Sequence, residues 1–273
     1  MPFITRPLTG GRLVRIGVAL TDRERHMLTE LATVYVATTA QLGRLVFGEH
    51  KPATMARLGQ RHVERLVRFG LMRRHANRSR DRKVGAPGYV VVLTSAGWSL
   101  SGAAEADQRP RQRRSWMPSD AFLAHRLAIS ELYVRLTEHA RSGGPAVRQF
   151  AAEPDAWRRY SGFAGERLVL KPDAFTRLVT AGQELFWFVE IDRGTEGLRF
   201  IADKISSYHS YALSGVEQSH WHGVFPGVLF IVPTAARARA VQHIIDRQPD
   251  QDFRSLLFVA SEADALPVLA TPP

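Results

Sequence analysis

Three acidic residues carry the most chemistry for their spacing. Asp173 follows a proline in LVLKPDAF (168–175), and Glu190 and Asp192 stand two apart near the end of the apolar stretch in LFWFVEIDRGTE (185–196). Both stretches read as strands, and residues i and i+2 of a strand point to the same face. If the two strands are neighbours, Asp173, Glu190 and Asp192 converge at one sheet edge. That is an oxygen cage of the kind Mg²⁺ or Mn²⁺ takes. A metal held there activates water and steadies the negative charge that builds on a phosphodiester under attack.

The elements that must position these acids follow from the apolar pattern. Ser119 or Asp120 caps a helix over AFLAHRLAISELYVRLTEHA, which ends before Gly143 and Gly144. Strands are predicted near 146–152, 167–179 and 184–191, a long helix near 195–213, a strand at 227–232, a helix at 234–247 and a last strand at 255–259. That order predicts an α/β domain with a mixed sheet flanked by helices.

Upstream, residues 1–20 read as irregular, with scattered Gly and Pro. Thr21 is then a natural N-cap, with Asp22 and Glu24 in the first turn where the helix dipole favours acids. Met27, Leu28, Leu31, Val34 and Tyr35 follow at helical spacing. Thr38 caps a short second helix, and a third runs from about Pro52 to Phe69 and stops at Gly70. LMRRHANRSRDRKVGAPGYVVVLTSAG then reads as a strand, a basic hairpin tip and a second strand over Tyr89 to Leu93. Three helices and a two-stranded wing make the winged helix-turn-helix pattern. The polar, basic, proline-containing stretch 103–118 reads as a linker. The expected organisation is two-domain: 1–102 winged helix, 103–118 linker, 119–273 α/β domain.

Composition sharpens this division. The chain has 273 residues and no cysteine, which excludes disulfide frameworks, thiolate zinc sites and cysteine nucleophiles. No apolar run approaches a membrane span, and the first residues carry charges where a secretory signal needs its apolar core. The expectation is a cytoplasmic protein that contacts no membrane. The net charge is +11, and it is unevenly spread. Residues 1–119 hold 21 basic and 8 acidic residues, whereas 120–273 hold 16 and 18. The excess of +13 in the first part points to a polyanion, double-stranded DNA above all.

In a winged helix the third helix enters the major groove. Here Arg57, Arg61, Glu64 and Arg68 fall at offsets of 4, 7 and 11, one stripe, flanked by Gln60 and Arg65. Guanidinium groups suit guanine and Gln60 suits adenine. Arg73, Arg74, Arg78, Arg80, Arg82 and Lys83 on the wing suit phosphate, which gives salt-dependent affinity without sequence information.

Pro172-Asp173 followed by Glu190-Ile191-Asp192 resembles the PD-(D/E)xK nuclease superfamily, whose core has this order of elements. With the winged-helix pattern, HRLAISELYVRL (125–136) and FVEIDRGTE (188–196), the chain is similar over roughly residues 20–260 to the replication-relaxation family of actinobacterial plasmids and other mobile elements. The resemblance implies a DNA-binding protein of replication or mobilisation with a Mg²⁺- or Mn²⁺-dependent nicking or cleaving site. It implies replication or conjugation proteins as further partners, and Glu131 as the extra acid many such nucleases carry. Paired half-sites on DNA would make a homodimer natural.

The superfamily's lysine, two residues after the glutamate, is Asp192 here. Lys204 and Lys171 are the candidates to replace it. Lys204 shares a helix face with Tyr208 and Tyr211, at offsets of 4 and 7, and is the favoured one. Two readings stay open: an active metal site, or a nuclease fold without catalysis that serves origin binding or transcriptional regulation. His220-Trp221-His222 has the His-hydrophobe-His form of tyrosine relaxases, with Tyr208 or Tyr211 as the nucleophile, but two histidines without a third ligand make a poor metal site. No GxxxxGK[ST] phosphate loop is present.

Overall fold

The computed structural model describes residues 9–76, 89–102 and 120–273. The chain divides into two compact units, residues 1–138 and 139–273.

The first unit opens with a helix where the sequence reads as irregular, α1 (Gly10–Ala19). Its two leading glycines hide it, but Ile16 and Gly17 are buried, and Leu100 packs at Gly17. The helices α2 (Asp22–Val34) and α3 (Thr39–Phe47) both start in capping boxes, Thr21 with Glu24 and Thr38 with Gln41. Helix α4 (Pro52–Arg68) begins with proline in its first turn and ends before Gly70, which adopts φ 74°. The strands β2 (Met72–Ala76) and β3 (Tyr89–Leu93) pair antiparallel, and the short β1 (Ala37–Thr38) adds to the other edge of β3. Helix α5 (Ser95–Leu100) follows.

Helix α6 (Asp120–Arg141) belongs to this unit as far as Glu138, so the second unit begins at 139 and not at 119. Packing is the reason. Leu123 and Leu127 join Val36 and Val90 in one apolar cluster. The Ser130 hydroxyl donates to the Val36 carbonyl at 2.5 Å, and Gln41 Nε2 donates to the Leu127 carbonyl at 3.1 Å.

The second unit is built on a five-stranded mixed sheet. Its strands are β4 (Ala146–Ala152), β7 (Ala174–Thr180), β8 (Gln183–Ile191), β9 (Gly227–Val232) and β10 (Leu257–Ser261), in the order β10-β9-β8-β7-β4. The β8–β9 and β9–β10 pairs are parallel, and β4–β7 and β7–β8 are antiparallel. The strand expected over 167–179 is two elements. β6 (Arg167–Leu170) pairs with β5 (Arg158–Ser161) in a separate hairpin, and β7 enters the main sheet. Pro172 has no N–H to give a ladder, and the chain changes sheets across Lys171, Pro172 and Asp173. Helices α7 (Leu198–Leu213), α8 (Val216–His220), α9 (Ala235–Asp246), α10 (Gln251–Ser255) and α11 (Ala265–Leu269) complete the unit. Phe175, Phe188 and Phe230 from the sheet meet Ile201, Ile205, Tyr208 and Val241 from α7 and α9 in its core. Among the described residues no helix is long and apolar enough to cross a membrane.

Candidate functional site

A tight turn sets the geometry of the site. Ala181 and Gly182 both have positive φ, 46° and 79°, in the two-residue connection between β7 and β8. Such turns match the twist of paired strands and lock their register. From Thr180 opposite Gln183 the pairing runs to Ala174 opposite Val189. Asp173, one residue before β7, therefore arrives beside Glu190. Its Oδ2 accepts a hydrogen bond from the Ile191 N–H at 2.7 Å, and its carbonyl accepts one from the Glu153 N–H at 2.9 Å. Both carboxylates are buried.

Helix α7 brings a cation to this pair. The Lys204 ammonium is ion-paired with Glu190 and lies 3.8 Å from Asp173 Oδ1. One turn further on, the Tyr208 hydroxyl donates to Glu190 Oε1 at 2.7 Å. Burial and the neighbouring Asp173 charge push the Glu190 carboxyl up to about 8, against the pull of Lys204 and Tyr208. Burial works against the Lys204 ammonium, but Glu190 and Asp173 outweigh it and hold its pKa above the usual lysine value. Burial and the Glu190 charge likewise raise Tyr208. Below about pH 8 Glu190 therefore keeps its proton, and the Lys204 ammonium faces the Asp173 carboxyl beside a neutral Glu190.

Asp192 is engaged elsewhere. Strand β8 ends at Ile191, so the alternation that would align Asp192 with Glu190 stops one residue short of it. Asp192 Oδ1 accepts from the Gly194 N–H at 2.7 Å, and Oδ2 accepts from Arg237 Nε on α9 at 2.5 Å. Arg237 also donates to the Glu196 carbonyl at 2.7 Å, which pins the β8–α7 connection. The expected cage of three carboxylates is thus a pair. Among the described residues no group of three or more His, Cys, Asp or Glu side chains is arranged to hold a metal ion. A carboxyl pair still fits Mg²⁺, which binds through one or two carboxylates and keeps several waters, with Glu190 giving up its proton as the ion binds.

Other expected site residues are placed as follows. Lys171 is exposed, with its ammonium 5.2 Å from the centre of the Trp157 ring. Glu131 lies in the first unit, ion-paired with Arg44 at 2.6 Å and accepting from Gln41 at 3.0 Å. Tyr208 and Tyr211 are buried and their hydroxyls serve carboxylates, Tyr211 reaching Glu217 at 2.5 Å. Glu217 also accepts from Arg158 at 2.9 Å and Trp221 at 2.8 Å, a fully engaged buried acid that ties α8 to β5 and α7. Sequence reasoning missed Arg237 and Glu217 as partners. No spacing signals the Arg237–Asp192 or the Arg158–Glu217 pair, which span 45 and 59 residues of chain.

On α4 in the first unit, Arg57, Gln60, Arg61 and Arg68 are exposed. Arg57, Arg61 and Arg68 have no carboxylate partner among the described residues, whereas Gln60 donates to Glu64 at 3.1 Å. Arg65 is committed to the fold: it bonds both oxygens of the buried Glu24, at 2.8 and 2.9 Å, and the Ala19 carbonyl at 3.1 Å. Burial opposes the Glu24 carboxylate, but hydrogen bonds from Thr21 and His62 and the Arg65 charge prevail and lower its pKa. On β2, Arg73 is exposed, and Arg74 lies 3.7 Å from Glu64 and 5.7 Å from the centre of the Tyr89 ring. Arg78, Arg80, Arg82 and Lys83, and the linker 103–118, lie outside the described residues.

A family model described as replication-relaxation matches residues 28–228, from α2 into β9, and so spans the acid pair and Lys204. The chain belongs to the replication-relaxation family. Membership associates it with replication or relaxation. Arg237, which holds Asp192, lies outside the stretch that matches the family. No curated protein and no solved structure matches the chain.

Proposed function

We propose that this replication-relaxation protein binds double-stranded DNA through a winged helix in its first unit and nicks or cleaves DNA at a metal site in a PD-(D/E)xK-like second unit. Its setting would be plasmid or mobile-element replication or mobilisation. The observation that carries the reading is the Lys204 ammonium on α7, ion-paired with Glu190 and 3.8 Å from Asp173. The superfamily's constellation of two acids and a lysine thus has a counterpart here, with the lysine supplied by a helix.

Asp173 and Glu190 would hold Mg²⁺ or Mn²⁺. Bound there, the metal supplies Lewis-acid polarisation of a phosphoryl oxygen and a water of lowered pKa. The residues do the rest. The Ile191 N–H and the Tyr208 hydroxyl orient the two carboxylates. Lys204, held in its charged form, acts as a hydrogen-bond donor that positions water and meets charge developing on phosphorus, not as a proton acceptor. On DNA, Arg57, Arg61 and Arg68 would face the major groove and Arg73 the phosphates.

The test is nicking of supercoiled plasmid with Mg²⁺ or Mn²⁺. Asp173→Ala and Glu190→Ala are each expected to abolish it while duplex binding persists. Wild-type protein that binds duplex DNA tightly, yet neither nicks nor gains heat stability from divalent ions, would leave origin binding or transcriptional regulation without catalysis.

A further inference from the structure

Outside the acid pair, one feature of the second unit presents a face that the fold does not use. The β5–β6 hairpin stands apart from the main sheet, and Phe163 at its tip is 85% exposed. The pairing of Arg159 with Val169 and of Ser161 with Arg167 puts these residues on the hairpin's outer face, while Tyr160, Leu168 and Leu170 alternate to the other. Arg159 and Arg167 are exposed, and neither side chain has an acidic or hydrogen-bonding partner among the described residues. The tip's own acid, Glu166, folds back onto the turn, where it accepts from the Ala164 N–H at 3.1 Å.

Between this tip and the end of α7 lies a cavity of about 350 Å³. Tyr160 and Phe163 line one side, and Ser210, Leu213 and Ser214 the other. The Tyr160 and Ser210 hydroxyls are 3.3 Å apart. Aromatic walls with a few hydroxyl groups, in a volume at the lower end of small-ligand sites, suit a flat heteroaromatic ring. Helix α7 links the cavity to the acid pair, because Ser210 is six residues beyond Lys204, about 9 Å of helical rise.

We infer that this cavity receives one unpaired base of a DNA strand, stacked on Phe163, while the strand continues over the hairpin tip to the outer face, where Arg167 and then Arg159 meet its phosphates. The inference deepens the proposed nuclease function and rests on it for the polymer: the second unit would act on single-stranded or locally melted DNA, and the first unit would hold the duplex. A base that has left its stack offers a π face to an aromatic ring, and the surrounding phosphates demand cations without acidic neighbours. Both are present at this tip.

The full chain, in EDTA so that cleavage plays no part, is titrated with a fluorescein-labelled single-stranded 20-mer and with the duplex of the same sequence. Phe163→Ala and Ser210→Leu, the second filling the cavity, are each expected to weaken single-strand binding about tenfold, the scale of one base–aromatic stack. Duplex affinity should stay within about twofold, since it resides in the first unit. Wild-type protein that binds no single strand, variants that bind it as wild type does, or equal losses on both DNAs would overturn the inference. A Phe163→Ala change that alters the sedimentation coefficient and leaves single-strand binding intact would mark the tip as a contact between copies, and also overturn it. If the expected pattern appears but wild-type protein never nicks with metal present, the cavity assignment stands and the nuclease reading falls.

Discussion

Lys204 is the residue on which the site turns. It faces two buried carboxyls and balances the charge of Asp173. Lys204→Met should therefore destabilise the second unit by about 3 kcal/mol, the cost of leaving a buried charge uncompensated, as read by urea unfolding, and should lower nicking without abolishing metal-induced heat stabilisation. Asp192 separates the pair from the expected triad. With its oxygens bound to Gly194 and Arg237, Asp192→Asn should keep nicking within a few-fold, whereas Asp173→Asn should remove it. Equal loss in both variants on the plasmid assay would return Asp192 to the metal set. The carboxylates were legible in the sequence from residue type and spacing, and Lys204 from the resemblance together with the helix face it shares with Tyr208. The diversion of Asp192 was not, because it depends on an arginine from α9 that only the folded chain brings near.

Helix α4 divides its arginines between the fold and the solvent. Arg61 faces solvent, so Arg61→Ala should leave stability within about 0.5 kcal/mol and erode discrimination between DNA sites in competition binding. Arg65, one turn on, is bound to the buried Glu24. Arg65→Ala should cost about 3 kcal/mol and affect DNA binding only through loss of folded protein, which calorimetry separates from affinity. The same helix crosses α3 at two glycines, where a Cβ on Gly59 would come within 3.1 Å of Gly43 Cα. Glycine inside a helix costs about 1 kcal/mol relative to alanine, and this close backbone approach is the physical return. Gly59→Val should destabilise by about 2 kcal/mol, visible as a lowered melting temperature of the first unit.

Of the two compact units, each holds a buried acid whose pKa is displaced, and the displacements of Glu24 and Glu190 have opposite signs. Glu24 in the first unit has a folded pKa below its ordinary 4.5. Its contribution is present above 4.5 and is lost as pH falls through the folded value. Glu190 in the second unit has a folded pKa of about 8. Between about 4.5 and 8 the folded state binds more protons than the unfolded one, so stability falls as pH rises through that window. Scanning calorimetry should resolve two transitions. From pH 8 to pH 5 the second unit's transition should rise, and below pH 4.5 the first unit's should drop. Glu190→Gln should remove the first effect and Glu24→Gln the second, and transitions that move together in both variants would contradict the assignment.

By itself, the sequence determined the local elements and the inventory of chemistry. Thr21 and Thr38 with their N3 partners announce helix starts, Gly70 announces a stop, and the apolar run before Glu190 announces a central strand, because caps, turns and periodicity act over a few residues. Tertiary structure decided the partners. It divided 167–179 between two sheets, turned Asp192 toward α9, committed Arg65 to Glu24 and gave α6, as far as Glu138, to the first unit. Each of these outcomes depends on contacts between residues tens of positions apart, and no local pattern records such pairings.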